Sequence, residues 1–154
     1  FFSWPTLKEL SALPKYFEQA NIIGVTGHFL REQCFVLPIK KLMVIYFIFS
    51  GIAVGLYHEY GHEEISRVAL ECKADIIVVE NETLLKKVLL IQHKLPDLRA
   101  IVLYDDFENP PSIPGVFTWK QIMEIGRDQS NDPLNQRLRN IAVNQCAVLG
   151  YTSG

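Results

Sequence analysis

The sequence predicts an α/β fold in which a parallel sheet, built of βαβ units, is flanked by helices. The first observation is a series of apolar runs rich in β-branched residues at Ile52–Tyr57, Asp75–Glu80 and Ala100–Tyr104. These runs are continuous rather than alternating in polarity, which is typical of strands buried on both faces of a parallel sheet. The second observation is that the runs begin about 23 to 25 residues apart, which leaves room for a crossover helix between parallel strands.

The segments between these runs have the periodicity of amphipathic helices. In the first segment, apolar residues recur along one stripe at Ile65, Val68, Ala69 and Cys72. In the second, a leucine-rich stripe runs from Leu84 to Leu95 and is followed by Pro96, which cannot continue a helix. Asn81 precedes this second segment and is predicted to cap its first turn. Both segments are therefore predicted to be crossover helices.

Outside this central region, sequence patterns predict further elements. Two more segments, Asn21–Thr26 and Cys146–Leu149, have the apolar composition of strands. Residues 105–117 contain three prolines and a glycine, and we expect them to form a loop without strand or helix. Thr118 and Gln121 form a capping-box pattern, which predicts the start of another helix.

The composition is that of a compact protein, and we expect one domain spanning residues 1–154. Hydrophobic residues make up 49% of the chain and charged residues 21%, as in globular domains. The 15 basic residues do not outnumber the 17 acidic ones, which argues against nucleic acid as a partner. The three cysteines are isolated, which argues against a disulfide framework and indicates a reducing compartment. We therefore expect a cytoplasmic protein.

One apolar run, Leu42–Tyr57, raises the question of a membrane span. It is shorter than the roughly 20 apolar residues that a spanning helix needs, and Ser50-Gly51 interrupts it. We interpret the run as a buried helix ending near Phe49, a glycine break and then a strand. This interpretation leaves open loose attachment to a membrane surface, such as that of the endoplasmic reticulum.

The segment His58-Glu59-Tyr60-Gly61-His62 matches the HExxH pattern of zinc hydrolases. On a helix, this spacing places two imidazoles on one face for Zn²⁺, with the glutamate as general base. Here the pattern follows directly after a strand-like run, and glycine in a helix interior costs about 1 kcal/mol relative to alanine. We therefore interpret the segment as a solvated turn between a strand and a helix, and keep the zinc hydrolase as a less favoured alternative.

The tetrapeptide Tyr-Thr-Ser-Gly at 151–154 follows a predicted strand and has the composition of a phosphate-binding loop. In such a loop, backbone N–H groups converge on an anion, glycine permits the turn, and hydroxyl side chains add hydrogen-bond donors. The candidate phosphate-binding residues are therefore Thr152, Ser153 and Gly154. An ordinary turn at the end of a strand is the alternative for these four residues.

Taken in order, the segments resemble the amino-terminal part of an adenylate-forming acyl-CoA synthetase, of the long-chain fatty-acid type called bubblegum. The resemblance covers roughly two-thirds of the chain, and the ordered succession of segments is more specific than any single one. The matching segments are FSGIAVGLY (49–57), EEISRVALECKADIIVVEN (63–81), LLKKVLLIQHKLPDLRAIVLYDD (84–106), FTWKQIMEIG (117–126) and NQCAVLGYTSG (144–154).

The resemblance implies an ATP-dependent long-chain fatty acid–CoA ligase that belongs to the AMP-binding enzymes. In this family a fatty carboxylate attacks the α-phosphate of Mg²⁺-bound ATP, and coenzyme A then displaces AMP from the acyl-adenylate. The implied substrates and cofactors are thus fatty acid, ATP, Mg²⁺ and coenzyme A. By the same resemblance, Thr152 and Ser153 would bind the β- and γ-phosphates through their hydroxyls, and Gly154 through its backbone N–H.

The resemblance also implies that the 154 residues are an incomplete α/β domain that ends within the phosphate loop. The family's loop lysine, its acyl and adenine pockets and its mobile carboxy-terminal domain would follow Gly154. We therefore expect no ligation by this chain alone. The alternative is a non-catalytic α/β module that binds a partner or a nucleotide.

Overall fold

The structure, a computed structural model, describes residues 22–26, 52–57, 59–103, 112–127, 132–146 and 148–151. Six strands in these residues form one sheet: β1 (Ile22–Thr26), β2 (Ala53–Tyr57), β3 (Ile76–Val79), β4 (Ala100–Leu103), β5 (Val116–Thr118) and β6 (Val148–Gly150). Four helices accompany them: α1 (His62–Glu71), α2 (Glu82–Ile91), α3 (Trp119–Arg127) and α4 (Asp132–Asn140). A 3-10 turn, Gln92–Lys94, extends α2.

The sheet has the order β5-β4-β3-β1-β2-β6, and every neighbouring pair is parallel. From β1 the chain moves to β2 on one side, then returns past β1 to β3 and continues outward through β4 and β5. It finally crosses back to place β6 beside β2. Because the chain crosses along the sheet in both directions from β1, this is a doubly wound sheet, and the predicted α/β class is confirmed.

The core lies between the sheet and the pair α1 and α2, which pack on the same face of the sheet. Ile77 and Val79 of β3 project into this layer, and they meet Ile65 of α1 and Val88 of α2 in the same buried cluster. All four residues of β3 are buried, as are all four of β4. Since side chains alternate between the two faces, the central strands are covered on both faces, as their continuous apolar sequences predict.

Local sequence signals explain where several elements begin. The Asn81 side-chain oxygen accepts the Leu84 N–H at 3.1 Å and caps α2, as predicted. At α3 both halves of the capping box form. The Gln121 N–H donates to the Thr118 hydroxyl at 3.2 Å, and the Thr118 N–H donates to the Gln121 side chain at 2.8 Å. These caps satisfy backbone donors that the first helical turns leave unpaired.

Two predictions about strands need correction. The loop expected over 105–117 ends earlier, because Val116–Thr118 pairs with β4 as a three-residue strand. Gly115, with φ of +79°, completes a turn that leads into this strand, so the prolines precede the ladder and do not interrupt it. The last strand begins at Val148 rather than Cys146, and its residues are exposed rather than buried because β6 lies at the edge of the described sheet.

Some expectations fall on residues outside the described ranges. The helix predicted to end near Phe49 is one, and the carboxyl end of the Ala100–Tyr104 strand at Tyr104 is another. Within the described part of the chain, no helix is both long enough and apolar enough to cross a bilayer.

Candidate functional site

The strand order places a crevice at the carboxyl edge of the sheet. The connection from β1 leads to β2 on one side, whereas the connection from β3 leads to β4 on the other side. In open α/β sheets, ligands bind at such a switch point, outside the carboxyl ends of the strands. β6 lies two strands from β1, or about 10 Å at the usual strand spacing. Its carboxyl end therefore faces the same side of the sheet as this crevice.

Two helices begin near the crevice, but neither amino terminus suits an anion. The first turn of α1 carries Glu63 and Glu64, and the first turn of α2 carries Glu82. Carboxylates at these positions already interact with the positive end of the helix dipole and would repel a phosphate. In α2 the Asn81 side-chain oxygen already accepts the Leu84 N–H, so this N–H is not available to an anion.

The amino terminus of α3 has no acidic residue in its first turn, but it does not lie beside this crevice. α3 begins directly after β5, and β5 and β6 form opposite edges of the described sheet. None of the described amino termini of α1, α2 and α3 therefore combines a first turn free of carboxylates with a position beside this crevice. β6 ends at the same edge of the sheet, and Tyr151 is the last described residue there.

The register of β6 fixes the position of Tyr151. Leu149 pairs with Val54 and Gly150 with Gly55, where the ladder ends, and Tyr151 is the next residue of the chain. Val54 and Leu56 are buried in the layer beneath α1. Because side chains alternate along a strand, Tyr151 projects to the same face, and its half-buried ring packs against the same core cluster.

The Tyr151 side chain lies near charged side chains of α1. Burial and the neighbouring Glu71 side chain raise the pKa of Tyr151 above its usual value, while the nearby Arg67 opposes the increase. Arg67 and Glu71 also form an ion pair one turn apart, with 3.9 Å between Nη1 and Oε1.

At the neighbouring strand end, two aromatic rings and a lysine fix the chain after β2. The rings of Tyr57 and Tyr60 meet edge to face, with centroids 5.6 Å apart. The Tyr60 N–H donates to the Tyr57 carbonyl at 3.1 Å. Lys87 of α2 donates to the Tyr60 carbonyl, also at 3.1 Å. These contacts hold the chain against α2 where it leaves the carboxyl end of β2.

The candidate residues from sequence are placed as follows. Thr152, Ser153 and Gly154 come directly after Tyr151 and lie outside the described residues. Sequence reasoning did not assign a structural role to Tyr151, which the fold packs against the core cluster.

The HExxH pattern does not form the helix that a zinc site requires. His58 lies outside the described residues, Glu59 is in a turn, and Gly61 is the N-cap of a helix that begins at His62. The described residues Glu59, Tyr60 and Gly61 are therefore not helical. The described ranges contain no group of three side chains placed to hold a metal ion. The predicted turn between a strand and a helix is what forms.

Similarity to other proteins gives an independent comparison. A long-chain-fatty-acid–CoA ligase of Xenopus laevis, ACSBG2, is 43% identical over 137 residues, which are 89% of this chain and 18% of that protein. A long-chain-fatty-acid–CoA ligase of Bos taurus, ACSBG1, is 38% identical over 106 residues, or 68% of this chain and 14% of that protein. The chain thus spans less than a fifth of the length of these curated relatives. No family model matches it.

Solved structures give a second comparison, which concerns the fold alone. The long-chain-fatty-acid-CoA ligase FadD1 from Archaeoglobus fulgidus matches with a TM-score of 0.64 and 15% identity, covering 96% of this chain and 26% of that protein. At this level of identity, the likeness shows the fold and not the activity.

Proposed function

This chain belongs to the family of long-chain-fatty-acid–CoA ligases, and from that premise we propose that it forms part of an ATP-binding amino-terminal domain. The full protein would be a ligase that joins a long-chain fatty acid to coenzyme A. In the domain, residues 1–154 would supply the doubly wound sheet and the start of the phosphate loop.

The observation that carries this proposal is the position of β6. Its parallel pairing with β2 brings Tyr151, the residue directly before Thr152, to the carboxyl side of the sheet, on which the switch point also lies. A nucleotide phosphate is the ligand that such an edge commonly binds. The acidic first turns of α1 and α2 favour the tetrapeptide over the helix termini as its binding segment.

The proposed roles follow from the chemistry of the residues. Thr152 and Ser153 would donate hydroxyl hydrogen bonds to the β- and γ-phosphates, and Gly154 would offer a backbone N–H at close approach. ATP, bound with Mg²⁺, would supply the adenylate that activates the fatty carboxylate before transfer to coenzyme A. The contribution of this chain would be electrostatic, since it would hold negative charge in place while pyrophosphate leaves.

Titration of the isotope-labelled chain with Mg²⁺-bound ATP, followed by NMR, tests this assignment. We expect the amide signals of residues 150–154 to shift, and the Thr152→Val, Ser153→Ala double variant to bind about tenfold more weakly because it lacks both hydroxyls. Thr118→Val is the matched control, because Thr118 also ends a strand but lies at the opposite edge of the described sheet. Shifts confined to other residues, or equal losses in the control, would contradict the proposal.

A second measurement concerns activity. We expect the 154-residue chain, given fatty acid, Mg²⁺-bound ATP and coenzyme A, to form no acyl-CoA, because it corresponds to less than a fifth of its relatives. Acyl-CoA formed by the purified chain would overturn this expectation. Location in the cytoplasm, or on the surface of the endoplasmic reticulum, stays a prediction that cell fractionation can check.

A further inference from the structure

We propose that the apolar run at residues 42–49 covers the open part of the sheet face opposite α1 and α2. This open face consists of Gly55 and Tyr57 of β2 together with Val148 and Gly150 of β6. The inference concerns how the sheet is completed, and it does not depend on the ATP assignment. It would place the apolar run in the core of the protein rather than in a membrane.

The first step is that β2 is covered on one face only. Val54 and Leu56 are buried in the core cluster beneath α1 and α2, which is the first face of the sheet. Because side chains alternate along a strand, Gly55 and Tyr57 belong to the second face, where Tyr57 is 47% exposed. Val78 of β3, in register with Gly55 across β1, is 4% exposed. The second face is therefore open at β2 although it is covered at β3.

The second step is that β6 extends the open face and leaves space above it. Gly150 pairs with Gly55, so both lie on the second face, as does Val148, which is 44% exposed. Among the described residues, no atom lies within 4 Å of the point where a Cβ of Gly55 or Gly150 would stand. A covering segment can therefore approach the backbone closely here.

The third step identifies the occupant from the path of the chain. β1 and β2 are parallel neighbours, so residues 27–51, which join them and lie outside the described residues, have to cross one face of the sheet. Such crossovers are almost always right-handed. The crossover from β2 to β3 runs in the opposite direction along the sheet, and its helix α1 lies on the first face. The same handedness therefore requires the connection from β1 to β2 to cross the second face.

The fourth step selects residues 42–49 within this connection. They read LMVIYFIF and contain no charged side chain, and the sequence predicts a buried helix that ends near Phe49. As a helix they would be about 12 Å long, which is close to the roughly 16 Å of the five residues of β2. Packing this run on the open face would remove the apolar surface of both from water and stabilise the fold.

Paramagnetic broadening in the isotope-labelled chain tests the inference. The three native cysteines are replaced by alanine, and a spin label is attached to the new cysteine of Val148→Cys. Leu90→Cys is the matched control, because Leu90 is also exposed, at 65%, but belongs to α2 on the first face. We expect the amide signals of residues 42–49 to broaden with the label at position 148 and to stay sharp with the label at position 90. Equal broadening by the two labels, or none by either, would overturn the inference.

Urea denaturation of Gly55→Val gives a second measurement, in which the sign of the effect decides. If residues 42–49 pack on the open face, the valine side chain holds them away from the sheet and the urea midpoint falls. On a face open to water, the same change would leave the midpoint unchanged or raise it, because strands favour valine over glycine. A midpoint that does not fall would therefore contradict the inference.

Other occupants of the open face give different results. A second copy of the chain would produce the broadening when an isotope-labelled chain without the spin label is mixed with a spin-labelled chain without the isotope. A membrane would cause the chain to sediment with vesicles of phosphatidylcholine and phosphatidylserine, while the label at position 148 leaves residues 42–49 sharp. Either result would overturn the inference, and both would leave the proposed function standing because no nucleotide is involved.

Discussion

β3 and β6 are similar in sequence and opposite in surroundings. Both are short, apolar and parallel to their neighbours, and each is preceded by a cysteine that lies close to its first residue. Yet Ile77 and Val79 of β3 have no exposed surface, whereas Val148 and Leu149 of β6 are 44% and 40% exposed. The difference comes from the strand order, because β3 lies between β1 and β4 while β6 lies beyond β2.

This contrast indicates that the centre and the edge of the sheet have different roles. The centre, around β3, contributes most of the buried apolar surface and hence most of the stability. The edge, at β6, leads directly into the candidate phosphate loop. Since binding segments need mobility that a buried core does not allow, the exposed β6 is better suited than β3 to lead into such a segment.

The largest expected effect is a difference in packing energy between the two strands. Ile77→Ala should lower the free energy of unfolding by about 3 kcal/mol, because it opens a cavity in the fully buried layer. Leu149→Ala should lower it by less than about 1 kcal/mol, because Leu149 is partly solvated already. Urea denaturation of both variants measures the difference. Equal losses would mean that β6 is as well buried in solution as β3.

A smaller loss of stability is expected when the side-chain cap of α2, just after β3, is removed. Asn81→Ala should destabilise the protein by about 1 kcal/mol, because the Leu84 N–H loses its side-chain acceptor. Asn81→Asp keeps an acceptor at the same position and should retain most of the stability. Thermal or urea denaturation of the pair provides the measurement, and a loss of equal size in both variants would show that the cap is not the cause.

The last prediction is a loss of stability at high pH that depends on Cys72 and not on Cys146. Burial raises the pKa of the Cys72 thiol from 9.0 to about 11. Because the folded pKa is the higher one, the protonated thiol adds stability below about pH 9, and that stability is lost as the pH rises toward 11. After allowance for solvent screening, the loss should be about 1 kcal/mol.

Denaturation between pH 8 and 11 tests this prediction in two matched variants. Cys72→Ala should flatten part of the decline with pH, whereas Cys146→Ala, at an exposed position before β6, should leave it unchanged. The raised pKa of Tyr151 acts in the same direction above about pH 10, so some decline should persist in Cys72→Ala. Identical curves for the two variants would contradict the assignment to Cys72.

Much of the fold followed from local patterns. Continuous apolar runs predicted β3 and β4 as parallel strands buried on both faces, because a strand covered on both faces has no need of polar positions. For β2 the strand was predicted, but its burial on both faces was wrong, since Gly55 and Tyr57 are exposed while Val54 and Leu56 are buried. Asn81 and the Thr118–Gln121 box predicted two helix starts, since a side-chain cap acts within three residues of the backbone groups it satisfies. The strand at Val116–Thr118 was missed because the preceding Pro-Gly turn outweighed a strand of only three residues.

For the candidate site, the amino-acid sequence determined the chemistry: which residues carry hydroxyls, where glycine permits a turn, and which family the succession of segments matches. Only the tertiary structure decided that β6 is an exposed edge strand of the described sheet and that Tyr151 packs against the core cluster. The physical reason is that patterning and capping act over a few residues along the chain. Strand order and register instead depend on long-range pairing, which joins residues far apart in sequence.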